Sequence, residues 1–374
     1  MTPEHTALQR PMGAHMPVSG GLHTSLIAGK AIGCTAVQLF TANPRQWQNA
    51  PLSGDAVRAF REAQEATGVR FVCAHASYLI NLAAANEVLE RSRDAFRAEL
   101  ERARQLEIPW VVVHPGAHAG QREDDAMAHL IESLQRILEE TDAQHNPVGI
   151  ALETTAGQGS TLGWRFEQIG AVLQALGKHP RLGACMDTCH IFAAGYDLRD
   201  AASYAATMAA FDAHIGIEHL KVIHANDSKK PLGSRVDRHA HIGAGEIGAQ
   251  GFVPLLQDAR LASVPVLLET PEARKMHAIN LQRLRCLADG QPLEVQVTVL
   301  FFGHYRDYYP APCVLMVPYG ATVRELAEQL AAQDVRLSDL LQYCRFAMDT
   351  EYVTPDSALV SDCELAVLPP VSGG

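Results

Sequence analysis

No apolar run in this 374-residue sequence reaches the roughly 18 residues that a membrane-spanning helix needs. The first ten residues, MTPEHTALQR, are polar and lack the apolar stretch of a secretory signal. They read as a disordered extension, residues 1–10, ahead of the first domain. Cysteine is sparse. Eight are scattered, and the closest pair, Cys185 and Cys189, has CxxxC rather than CxxC spacing. That speaks against a disulfide-stapled secreted scaffold and for reduced thiols in a cytoplasmic chain. No GxGxxG follows the first candidate strand, which disfavours an open dinucleotide-binding sheet. An excess of positive charge is missing too: the formal net charge is −11, which on its face disfavours a nucleic-acid partner.

That charge is unevenly distributed. From Glu294 to the end there are four Lys/Arg against eleven Asp/Glu, leaving 27 against 31 in the first 293 residues. The acidity therefore belongs mainly to the tail, and a metal-loaded N-terminal part would be close to neutral or positive. The composition, 47% hydrophobic and 20% charged, is that of a globular protein, and the length suits one large and one small domain. Seventeen histidines are many, and several sit in apolar or Gly-rich contexts that suggest metal.

Over the first 290 residues, short apolar runs alternate with amphipathic stretches. Strands are predicted at 12–16, 37–41, 70–75, 110–114, 149–153, 183–187, 220–224 and 264–269. Helices are predicted at 23–32, 55–67, 86–106, 124–141, 165–176, 201–211, 249–261 and 273–287. Eight β/α alternations indicate a closed parallel barrel, the TIM (β/α)8 fold, over residues 11–288. Most of these strands end on an ionisable residue: His15, His75, His114, Glu153, Asp187, His224 and Glu269. All C-terminal strand ends of such a barrel point to one face, so these side chains converge. Solubility alone would not favour His, Asp and Glu over Lys, Ser and Asn. Two further pairs, Asp187 with His190 and Asp237 with His239, join His75, His114, Glu153, Asp187, His224 and Glu269 in a candidate ligand set of five His and four carboxylates. That is too many ligands for one zinc and suits a multinuclear centre for phosphoester hydrolysis.

The segments HASYLINL (75–82), HPGAH (114–118), ETTAGQG (153–159), MDTCHIFAAGYDLR (186–199), HANDSK (224–229), GSRVDRHAHIGAGEIG (233–248) and LLET (267–270) resemble, in order and spacing, the motifs of the endonuclease IV family. The resemblance runs from about Gly13 to Leu287. It implies three Zn2+ per chain: one on His75, His114 and Glu153; a second sharing Glu153 with Asp187, His224 and Glu269; a third on His190, Asp237 and His239. It also implies cleavage of double-stranded DNA 5′ to abasic sites, leaving a 3′-hydroxyl and a 5′-deoxyribose phosphate, with Glu153 and Glu269 as the catalytic carboxylates. Arg45, Tyr78 and Leu79 match side chains that enter the minor groove while the abasic sugar flips into a pocket. Ala76 and Thr154 stand where some members carry Asp and Asn, so a supporting contact of the ligands differs here. A sugar isomerase or epimerase barrel would share the metal-bearing strand ends but not the third ligand set or the wedge residues. A sulfur carrier with a scaffold barrel would not need the ligands at all.

After a short linker, residues 289–294, the pattern changes. Strands at 295–302 and 313–318, a helix with Thr322 as N-cap and Glu325 three residues on, and short strands near 346–348 and 364–368 suggest an α+β, β-grasp (ubiquitin-like) domain over residues 295–374. VLFFGHYRD at its start and LPPVSGG at its end resemble the molybdopterin synthase small subunit and related sulfur carriers. The resemblance implies a thiocarboxylate at the Gly373–Gly374 terminus. It also implies an adenylating sulfur-transfer enzyme and the molybdopterin synthase large subunit as partners, since a tail without side chains can thread into a partner's site.

Overall fold

The computed structural model describes residues 10–370; residues 1–9 and 371–374, including Gly373 and Gly374, lie outside the described residues. The chain divides into two compact units at Ala288/Asp289. In the first, eight parallel strands close into a barrel: β1 (Met12–His15), β2 (Ala36–Leu39), β3 (Phe71–His75), β4 (Trp110–Val113), β5 (Gly149–Glu153), β6 (Leu182–Asp187), β7 (Leu220–His224) and β8 (Val266–Leu268), with β8 closing on β1. Arg10, within the stretch expected to be an extension, is buried and donates to the carbonyls of Val264 (2.9 Å) and Leu255 (3.1 Å).

Side chains two apart on a strand face the same way. One layer inside the barrel is made of Ala36, Cys73, Val112, Ala151, Cys185, Val222 and Leu267, one from each of β2 to β8. Gly13 completes the layer on β1 in sequence position; a Cβ there would lie 1.6 Å from the Ala36 carbonyl oxygen, so only glycine fits. Two residues further along every strand the character changes: His15, Gln38, His75, His114, Glu153, Asp187, His224 and Glu269. The pleat thus sets a ring of eight polar side chains on an apolar floor. Strand β8 is shorter than the predicted 264–269. The predicted helix 249–261 is a helix over Gly248–Gln257, with Pro254 inside it, followed by a 3-10 turn.

The second unit has a five-stranded sheet of β9 (Glu294–Phe301), β10 (Cys313–Pro318), β11 (Arg345–Met348), β12 (Glu351–Val353) and β13 (Cys363–Leu368) in the order β10-β9-β13-β11-β12. The two central strands are parallel and the outer pairings antiparallel, the β-grasp arrangement. The helix Val323–Gln333 buries Val323, Leu326, Ala327 and Leu330 against Val295, Val297, Val299, Leu365 and Val367 of the sheet. Its first turn is closed by the Thr322–Glu325 capping box, each residue's side chain accepting from the other's main-chain N–H. Strand β12 and two short helices, Tyr305–Tyr308 and Leu340–Tyr343, have no counterpart in the sequence-based expectation.

Candidate metal centre

The polar ring is where the barrel differs from an ordinary core. Glu153 has no exposed surface and lies at its middle. Its Oε2 is 3.1 Å from Nε2 of both His75 and His114. Its Oε1 is 3.0 Å from His224 Nδ1 and 3.4 Å from His190 Nδ1. One carboxylate thereby faces two groups. His75, His114 and Glu153 form the first, and Glu153, Asp187, His224 and Glu269 the second, each with donor atoms within 4.8 Å of one another.

A third region lies beyond β6 and β7. Asp187 ends β6 and caps the helix Thr188–Ala194, its carboxylate accepting from the main-chain N–H of His190 at 2.9 Å. The sequence places His190 just past the strand; the structure puts it on this capped helix. Asp237 and His239 arrive from the long segment after β7, which is drawn back by a two-residue antiparallel ladder between Asp227–Ser228 and His239–Ala240. The buried Asp227 carboxylate fastens the return by accepting from the N–H groups of Ser228, Gly243, Gly245 and Ile247. A Cβ at Gly245 would meet that carboxylate at 2.5 Å. His190 Nε2 and His239 Nε2 then stand 3.2 and 3.3 Å from Asp237. The 4.8 Å groupings are Asp187 with His190 and His239, and Cys189 with Asp237 and His239, so Asp187 and Cys189 border this region as well.

Histidine orientation follows from the outer nitrogen of each ring. Nδ1 of His75, His190 and His239 faces the main-chain oxygen of Ala76 (2.7 Å), Thr154 (2.8 Å) and Glu269 (3.1 Å). A carbonyl only accepts, so each Nδ1 carries a proton, and Nε2 is the atom each ring can offer as a lone pair to an ion. His224 is reversed: its Nε2 faces Gln38 Oε1 at 2.8 Å and its Nδ1 faces the carboxylates. Asn226, fully buried, ties two of those carboxylates' positions together, donating to Asp187 Oδ2 (2.7 Å) and accepting from the Glu269 N–H (2.8 Å). Gln38 and Asn226 are the residues sequence reasoning passes over.

The electrostatics fit divalent cations. The four carboxylates pair with imidazoles, and no Lys or Arg is among those partners. Burial opposes charge on His190, yet Asp187, Asp237 and Glu153 lift its pKa well above the ordinary value. Burial likewise opposes ionisation of Glu269, but His224 and His15 hold it below the carboxylate range. His239 Nε2 is buried with no hydrogen-bond partner. Imidazole nitrogens and carboxylates turned toward one another could hold a cation between them, and an imidazole–carboxylate donor set is one that zinc takes. Cys185 and Cys189 are buried beside these groups, and burial pushes both thiols up to about 12; Cys185 lies within the same 4.8 Å span as Glu153 and His224, and Cys189 within that of Asp237 and His239.

Around the ring, Tyr78 is 66% exposed and its ring lies 5.8 Å from that of His75 and 5.4 Å from that of Phe40. It walls a cleft of about 260 Å³ with His15, Phe40, His239, Glu269 and His277. Leu79 is half-buried and Arg45 exposed. The two segments that carry these residues share an anchor: buried Glu99 accepts from the Thr41 hydroxyl (2.9 Å) and the Ser77 N–H (3.3 Å). A larger cavity, about 660 Å³, lies under residues 42–49 against the helix Asn86–Gln105 and away from the ligand groups. Lys229, Lys230, Arg235 and Arg238 lie in the segment that delivers Asp237 and His239, with Lys229 and Lys230 exposed.

The family model of xylose isomerase-like TIM barrels matches residues 26–288, and the ThiS family model matches residues 299–374. A protein of Chloroflexus aurantiacus named "Probable endonuclease 4" is 48% identical over 281 residues, 74% of this chain and 98% of that protein. The crystal structure of endonuclease IV from Thermus thermophilus superposes with a TM-score of 0.67 at 35% identity, covering 75% of this chain and 99% of that one. A D-tagatose 3-epimerase-like protein superposes at 0.56 with 20% identity over 75% of this chain and 98% of its own, a likeness of fold alone.

Proposed function

The chain belongs to the endonuclease IV family and carries a ThiS-family domain at its C-terminus, and from that premise we propose that it incises double-stranded DNA on the 5′ side of abasic sites with three zinc ions. The observation that carries this reading is Glu153, buried and facing two ligand groups at once, with a third region of His190, Asp237 and His239 beside them. His75, His114 and Glu153 would hold one ion, Glu153, Asp187, His224 and Glu269 a second, and His190, Asp237 and His239 a third. When bound, zinc supplies positive charge to a phosphodiester and acidity that makes water nucleophilic near neutral pH.

The protein's own groups do the rest. Glu269 faces the cleft while remaining ionised, so it accepts a hydrogen bond from an entering water and orients it rather than storing its proton. Tyr78 walls the cleft, and with Leu79 and Arg45 it would serve as the wedge that fills the space an abasic site leaves in the duplex. The cations of residues 229–238 meet the phosphate backbone and offset the chain's overall acidity. The products are a 3′-hydroxyl and a 5′-deoxyribose phosphate. The epimerase reading draws on fold likeness alone, and the scaffold reading leaves the ligand ring without a purpose. The C-terminal domain would be thiocarboxylated at Gly374 by an adenylating sulfur-transfer enzyme and would dock with a molybdopterin synthase large subunit.

The test is metal analysis of the purified chain with a nicking assay on a duplex containing one abasic site. About three zinc ions and a single 5′ incision are expected. One ion or fewer at full activity, or no incision by the zinc-loaded chain, overturns the reading.

A further inference from the structure

Resting on that metal-dependent reading, we propose that Gln38 is a positioning residue that makes His224 bind its ion through Nδ1 and ties this choice to Glu269. Gln38 is the β2 member of the polar ring and has no exposed surface. Each end of its carboxamide is engaged. Nε2 lies 2.6 Å from Glu269 Oε1 and 3.0 Å from His15 Nδ1, and Oε1 lies 2.8 Å from His224 Nε2 and 3.4 Å from Cys73 Sγ. An ionised carboxylate only accepts, so the amide nitrogen must face Glu269. The opposite orientation would set two acceptors against each other at 2.6 Å. The amide oxygen is therefore turned to His224, and the atom it meets must be an N–H. In the neutral ring that an ion requires, this leaves His224 Nδ1 as the lone pair, 3.0 Å from Glu153 and 3.3 Å from Glu269.

The consequence is specific to one ligand. His75, His190 and His239 are oriented by main-chain carbonyls, which the fold itself fixes. His224 is reversed and is oriented by a side chain, which a single substitution removes. Without Gln38, His224 can take either tautomer, and Glu269 loses its closest donor. The ion shared by Glu153, Asp187, His224 and Glu269 should weaken, while those on His75/His114 and His190/Asp237/His239 should not.

The experiment uses the full chain loaded with cadmium-113 and labelled with nitrogen-15 at histidine. One-bond cadmium–nitrogen coupling is expected through Nδ1 for His224, with its Nε2 protonated, and through Nε2 for His75, His190 and His239. In parallel, zinc competition against a chelator should show one ion of Gln38→Met weakened by about 10–100-fold, the usual effect of removing a ligand's hydrogen-bonding partner, and the others unchanged. Coupling of His224 through Nε2, or a folded Gln38→Met that holds every ion as the wild type does, overturns the role of Gln38. A wild-type chain that takes up no metal overturns the metal reading instead. The coupling measurement needs no variant, so it decides the matter even where Gln38→Met does not fold.

Discussion

Replacing Glu153 by Gln keeps the volume and removes one charge at a side chain with no exposed surface. The carboxylate offers Oε2 to His75 and His114 and Oε1 to His224 and His190. An amide has one acceptor end and one donor end, so whichever way it turns, one of the two groups loses a ligand. A site held at a thousand times its Kd contributes about 4 kcal/mol to the loaded fold. Losing one such site in a domain of this size lowers Tm by roughly 10 °C. In the metal-free fold the same carboxylate is held ionised by its imidazole partners, so the variant loses those pairs there too, offset in part by relief of the cost of burying a charge. The loss of Tm in excess chelator should therefore be smaller than the loss in zinc. Cleavage should fall by at least about 100-fold, the scale of losing one preorganised charge-stabilising group. Thermal unfolding in zinc and in chelator, with metal counts by mass spectrometry and the nicking rate, reads all three effects. An equal loss of Tm in both conditions would reduce Glu153 to a packing residue, and a variant with full metal and activity would refute the bridging role.

Tyr78→Ala should weaken binding to an abasic duplex by on the order of 1–3 kcal/mol, the scale of one aromatic stacking contact, without changing zinc content; fluorescence anisotropy on abasic and intact duplexes checks both, and unchanged discrimination sinks the wedge. His277 is buried with Nε2 at the Thr270 carbonyl, and burial lowers its pKa from 6.5 to about 4. The unfolded chain thus takes up a proton that the folded one refuses between pH 6.5 and 4, so stability is present above that window and lost as pH falls through it. The difference is about 3 kcal/mol, and denaturant titrations of His277→Phe should show a shallower acid loss than wild type. A chain truncated after Gly290 should keep its zinc and its nicking rate, because every proposed ligand lies before Ala288; loss of either would assign the C-terminal unit a part in holding the site. The C-terminal domain should gain one sulfur in place of oxygen at Gly374 when incubated with a matched activating enzyme, read by mass spectrometry, and one appended residue should abolish it.

The barrel is legible because its strands are apolar runs that stop abruptly on His, Asp or Glu, and period-two geometry sends those ends to one place. What the sequence hides follows from the same geometry. A strand over 37–41 ends on Thr41 and contributes nothing to the ring, yet the spacing that places β2 correctly is there. On every other strand the polar member lies two residues after a small or apolar inward one, and Ala36 to Gln38 repeats that step. A lone Gln among Val37 and Leu39 looks like ordinary alternation on a half-exposed strand, and only closure of the barrel makes its face an interior one. Asn226 is hidden for another reason. It follows His224 by two residues, beyond the last residue of β7, and its job depends on Asp187 and Glu269 arriving from different strands.

The third region shows where pattern reading stops and folding begins. Asp187 serves twice, as a carboxylate in the ring and as the cap that starts the helix carrying His190, and spacing alone reveals only the first role. His239 depends on a return of the chain that Asp227 fastens through four main-chain N–H groups. Asp227 sits in HANDSK beside the proposed ligand His224 and could pass for a ligand itself, but its acceptor capacity is directed to backbone. Ligand residues and the residues that aim them therefore have the same chemical types and adjacent positions. Partners give part of the distinction: the Asp227 carboxylate is matched to main-chain N–H groups, whereas His239 Nε2 is buried without a hydrogen-bond partner. Asp187 does both, capping a helix and accepting from Asn226 while it borders the two proposed ion groups, so the role of a carboxylate there follows from its place in the ring as well as from its partners.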